Sequence, residues 1–259
     1  MEFIRPFRSS SAFRLAAPIM VLGAVLLALC APLQARQVVL ATTAWEPYIG
    51  PDLPGQGYVA EVAREALARS GHSLRLVFLP WARAVHMARH CQVDGYLPEY
   101  DSRDLRRTFL FSAPFPGGPV GFFKRRDHAI RWRDLDSLKP YCIGVVRGYV
   151  NTPEFDARTD LRKQYVNNDE TNLRMLLAGR IDLMLADEHV GYALARKISR
   201  EAAAGIEFLL PPLEDKDLFV CFPAHLPASG ELLEAFNHGL EELRRDGTLM
   251  RLHARHGLR

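Results

Sequence analysis

The chain has 259 residues, 48% of them hydrophobic, and 33 Lys and Arg face 30 Asp and Glu for a formal net charge of +3. That composition supports one large core or two modest ones and excludes a disordered or low-complexity chain. Charge this close to balance, without a clustered basic field, argues against a polyanion-binding surface, and no nucleic-acid partner is expected.

The first residues carry Arg5, Arg8 and Arg14, and an apolar run from Leu15 to Leu29 follows. It has the length of a signal-peptide hydrophobic region and is short for a membrane span. Residues 1–35 are therefore read as a signal peptide cleaved after Ala35, with a periplasmic product. Cys30 invites a lipoprotein reading, but the bulky Leu29 before it argues against acylation. Removing this segment takes away three Arg and one Glu, which leaves 30 basic and 29 acidic residues.

Beyond it, strand and helix signals alternate, which predicts an α/β fold. Val38 to Ala41 reads as a buried strand, and Val59, Val62, Ala63, Ala66 and Leu67 mark a helical face closed by Gly71. A strand over 74–79, a helix over 83–90 and a strand over 95–98 follow. After Pro114 to Pro119 comes the apolar run Val120 to Phe123. A second βαβ set is predicted from strand 142–146, a helix from about Thr152, strand Tyr165-Val166, helix 170–177 stopped by Gly179, and strand 181–186. Leu218 to Pro223 then leads into a helix with Leu232, Leu233, Phe236, Leu240 and Leu243 on one side. Cys91, Cys142 and Cys221 remain, an odd number with no C-x-x-C pair. A Cys142–Cys221 disulfide is conceivable, but buried thiols are the preferred reading.

The stretch Val93 to Tyr100, the Arg-rich turn Ser102 to Arg107, and Phe109-Leu110-Phe111-Ser112-Ala113-Pro114-Phe115 together resemble the extracellular solute-binding proteins of family 3, the type II periplasmic binding proteins. The resemblance implies a two-lobed α/β clamshell with two hinge crossings: 36–115 as the first part of lobe 1, 116–217 as lobe 2, and 218–259 returning to lobe 1. It further implies a monomer that captures a small polar solute, an amino acid or a related amine or carboxylate compound, and passes it to an ABC transporter permease. No cofactor, metal or catalysis is expected. Pro80-Trp81-Ala82-Arg83-Ala84 resembles the Pro-Trp-x-Arg-Ala signature of one subgroup.

Ligand sites in open α/β sheets lie beyond the carboxyl ends of strands. Trp45 and Tyr48, Trp81, and Glu99 with Tyr100 all follow predicted strands, and the aromatic rings could stack on a solute. Arg83 could reach an anionic or carbonyl group from the start of its helix, or simply face solvent. Amino-acid binders of the family place an Arg before the hinge that grips the ligand carboxylate; Leu105 stands there, with Arg106 adjacent as a replacement. Gly144 to Gly148 fits the family's lobe-2 turn, but Tyr149 replaces a small hydroxyl residue. Asp187 matches the acid that pairs with a ligand ammonium, or else caps the helix that begins at Glu188. His86 and His90 have a spacing that can chelate a metal but lack a further partner, so surface histidines are favoured. The rival readings are an enzyme on the same fold, similar to periplasmic cyclohexadienyl dehydratase, and a protein that presents its liganded form to a membrane sensor.

Overall fold

The computed structural model describes residues 1–2 and 35–258. The expected signal peptide therefore lies almost entirely outside the described residues. Among the described residues, no helix is long and apolar enough to cross a membrane.

The chain opens with β1 (Gln37–Thr42), α1 (Tyr58–Arg69), β2 (Ser73–Phe78), α2 (Trp81–Arg89) and β3 (Gly95–Glu99). β1 pairs in parallel with both β2 and β3. After β4 (Phe109–Phe111), the long β5 (Phe115–Arg125) carries the chain into the second half. There β6 (Cys142–Val146), α3 (Pro153–Ala157), β7 (Arg162–Val166), α4 (Asp169–Leu177), β8 (Leu183–Asp187), α5 (Glu188–Ile198), α6 (Arg200–Gly205) and β9 (Ile206–Phe208) follow in order. β10 (Glu214–Pro223) brings the chain back, and α7 (Ser229–Arg245) and α8 (Thr248–Arg255) complete the first half.

The strands run in the order β2-β1-β3-β10-β5-β8-β6-β7, with β4 on β10 and β9 on β5. Two strands are shared. Phe219 and Cys221 of β10 face Glu99 and Tyr96 of β3, whereas Leu218 and Glu214 face Phe115 and Val120 of β5. Beyond that point β5 turns to β8, with Val120 opposite Asp187. The two α/β lobes are therefore joined by two strands that each serve both of them.

Each lobe has its own apolar packing. In the first, Val59, Val62, Ala63 and Ala66 of α1 are buried, as are Leu232, Phe236, Leu240 and Leu243 of α7. Gly239 permits their close approach, since a Cβ there would meet the Ala66 carbonyl oxygen. In the second, Phe123, Leu173, Leu176, Ile181, Met184 and Phe208 form a cluster. Burying each of the large apolar side chains among these contributes about 1.5–3 kcal/mol.

Some predicted bounds move for local reasons. β8 begins at Leu183 because Asp182 turns aside, its carboxylate accepting from Cys142 N at 2.7 Å. Thr152 caps α3 rather than lying within it, its hydroxyl accepting from Phe155 N at 3.1 Å. Among the described residues, Cys91, Cys142 and Cys221 are free, and of these only Cys221 is buried.

Candidate functional site

The side chains in question cluster where strand ends of the two lobes meet. After β1 the backbone closes on itself, Trp45 N donating to Ile49 O at 2.8 Å, which fixes both Trp45 and Tyr48. Their rings stack with centroids 4.8 Å apart, and Tyr100 meets Trp45 edge-on at 5.9 Å. Trp81 opens α2 after β2, and Glu99 is the last residue of β3. From lobe 2, Tyr149 follows β6 in a turn made possible by Gly148 at φ +81. Asp169 opens α4, and Asp187 ends β8.

Thr43, Trp45, Trp81, Glu99, Tyr100 and Tyr149 are among the walls of a small, half-open pocket of about 30 Å³ at this junction. Contacts across it tie the lobes. Tyr48 Oη and Tyr100 Oη both donate to Asp187 Oδ2, at 3.0 and 3.4 Å. Trp81 Nε1 donates to Gly148 O at 3.4 Å, and its ring meets Tyr149 edge-on at 6.1 Å. Lys197 of α5 also pairs with Glu46 of the first lobe, 3.0 Å apart.

Three carboxyls sit in or directly behind the pocket walls. Glu99 accepts from Tyr96 Oη at 3.0 Å and from Tyr100 N at 2.9 Å. Burial pushes its carboxyl up to about 7 despite those bonds. Asp187 is likewise pushed up to about 7 by burial, against the lowering effect of the Val190 amide and the Tyr48 hydroxyl. Asp169, which accepts from Tyr149 Oη at 2.9 Å, is raised by burial to about 6. Of the two roles considered for Asp187, the helix cap is the one seen: its Oδ1 accepts from Val190 N at 3.1 Å and so caps α5.

Two expected residues are placed elsewhere. Arg83 is exposed, because α2 buries the face carrying Ala84 and Ala88, and it is not part of the pocket wall. Arg106 also faces outward: its Nε donates to Asp101 at 2.6 Å and its guanidinium lies 4.6 Å from the Phe111 ring centroid. Leu105, by contrast, packs beside Trp81 and Glu99. His86 on α2 and His90 just past its end are exposed, their rings 4.0 Å apart. Asp169 was missed from the sequence, where it reads as an ordinary acid in the first turn of a helix. Lys216, buried with its ammonium 5.8 Å from the Tyr100 ring and paired with Glu214 at 2.7 Å, also lacked a signal.

The family model for bacterial extracellular solute-binding proteins, family 3, matches residues 38–259. The chain belongs to that family. Solved structures agree on the fold. A histidine kinase sensor domain with similarity to periplasmic binding proteins superposes with a TM-score of 0.76 at 20% identity, covering 85% of this chain and 96% of that one. An ancestral arginine-binding protein bound to arginine gives 0.72 at 18%, over 85% and 97%. An amino acid ABC transporter substrate-binding protein from Streptococcus pneumoniae, bound to L-arginine, gives 0.69 at 19%, over 85% and 93%. No curated protein sequence matches at a comparable level. Family membership makes solute binding the role of the fold, and the interlobe pocket is where this family member concentrates its buried polar chemistry.

Proposed function

We propose that this family 3 protein captures a small polar solute, an amino acid or a related amine or carboxylate compound, between its lobes for uptake through an ABC transporter permease. It acts as a periplasmic monomer after loss of residues 1–35. The observation that carries the reading is the pair of hydroxyl contacts from Tyr48 and Tyr100 of lobe 1 to Asp187 of lobe 2. Such contacts form only when the lobes close, so a solute held against the aromatic walls stabilises closure and is shielded by it. The arginine-bound structures that superpose on this chain support a solute of amino-acid size.

The cleft binds without turnover. Glu99 and Asp187 could donate or accept a proton near neutrality, yet both are engaged by tyrosine hydroxyls, and Asp187 by the Val190 amide as well. The likeness to a kinase sensor domain favours one second reading, in which the closed form is presented to a membrane sensor.

Thermal unfolding against a library of amino acids, amines and organic acids tests the proposal. Solute at 100 times its dissociation constant stabilises by about 2.7 kcal/mol. For a protein of this size that is a rise of roughly 5–10 °C. No stabilisation by any compound contradicts solute capture. Affinity purification from membranes then separates a permease partner from a sensor.

A further inference from the structure

The donors and acceptors of the pocket wall are unevenly divided. Tyr100 and Tyr149 give their only hydroxyl protons to Asp187 and Asp169. Trp81 gives its indole N–H to Gly148 O. A phenol that donates inward presents only lone pairs outward, so these side chains offer a ligand oxygen acceptors and aromatic faces. Glu99 adds a carboxyl, the pocket wall contains no Lys, Arg or His, and Lys216, behind the Tyr100 ring, is paired with Glu214. Of the remaining wall donors, the Trp45 indole N–H is directed at Asp169, which leaves the Thr43 hydroxyl.

At pH 8, above the raised value of Glu99, a ligand carboxylate in this pocket would find few donors and an ionised Glu99 in the wall, which is costly for a buried charge. A cation meets the opposite situation. Aromatic faces attract it, and three carboxyls lie in or directly behind the walls. Burial has raised all three, so a positive charge that favours their ionised forms relieves an existing penalty. Arg106, which could have met a carboxylate, is ion-paired to Asp101 on the outside.

We propose that the cleft selects a small organic cation that carries no carboxylate. This rests on the solute-binding reading above and narrows its ligand class. The discriminating experiment uses three pairs that differ only by a carboxylate, titrated calorimetrically at pH 8: agmatine and arginine, cadaverine and lysine, histamine and histidine. The expected result is at least tenfold tighter binding of the carboxylate-free member in one or more pairs, with no pair reversed. Glu99→Gln and Asp187→Asn, each checked for a native circular dichroism spectrum, are expected to weaken that binding at least fivefold.

Tighter binding of an amino acid overturns this inference and leaves solute capture standing. Absence of binding by all six compounds also overturns it, whereas capture itself falls only if the wider library fails too. Affinity that survives both substitutions unchanged places the cation elsewhere and overturns it as well.

Discussion

At the level of single residues, the pocket divides into side chains that face a ligand and side chains that hold the first set in place. Trp81 is half-buried and its ring lines the cavity, so Trp81→Ala is expected to weaken solute binding by about 1–3 kcal/mol, read by calorimetry, with little loss of melting temperature. Unchanged affinity would remove Trp81 from the contact surface. Arg106→Ala is expected to change affinity less than about twofold, since an exposed pair such as Arg106–Asp101 is worth 0.2–1 kcal/mol at most and faces away from the cleft. The sequence could not decide between Leu105 and Arg106, because adjacency says nothing about direction. Leu105–Arg107 is a single 3-10 turn, in which each residue is rotated by about a third of a turn from the last. Leu105 thus packs inward beside Trp81 and Glu99, while Arg106 turns out. Asp169 stayed hidden for a related reason: its role depends on Tyr149, 20 positions away, and on burial that only the closed fold creates.

At the level of elements, the shared strand β5 sets how closely the lobes approach. Gly118 lies in it against Tyr48 and Asp187, and a Cβ there would fall 2.2 Å from Tyr48 Oη and 2.9 Å from Asp187 Oδ2. Gly118→Ala is therefore expected to push Tyr48 off Asp187 and disfavour closure. Affinity should fall about tenfold, or ~1.4 kcal/mol, and solution scattering of the liganded protein should show a larger radius of gyration than wild type. Equal radii and affinities would mean that these contacts do not govern closure. The elements themselves were legible. Apolar β-branched runs gave β1 and β6, and the α1 and α7 stripes followed helical periodicity to their glycine or polar ends. The short β9 was not, since three residues carry too little periodicity to register.

For the whole molecule, the buried carboxyls couple the cleft to pH. The folded protein holds protons on Glu99, Asp169 and Asp187 up to about 6–7, whereas an unfolded chain releases them near pH 4. A raised carboxyl favours the folded state in acid, and that contribution is lost as pH climbs from about 4 through 7. Asp187→Asn removes one such penalty while its amide oxygen can still cap α5. The ligand-free variant should therefore gain melting temperature over wild type at pH 8 and gain less, or nothing, at pH 5. A difference that stays constant with pH would show that Asp187 is not buried as described.

The central claim is that the solute sits between the lobes, and a crystal structure with the tightest compound from the unfolding screen at saturating concentration tests it most directly. The account predicts density for that compound against Trp81 and Tyr149, with Tyr48 and Tyr100 still reaching Asp187. A cleft left empty, or a compound seated only in the groove on lobe 2 beside Arg131 and Trp132, would contradict it.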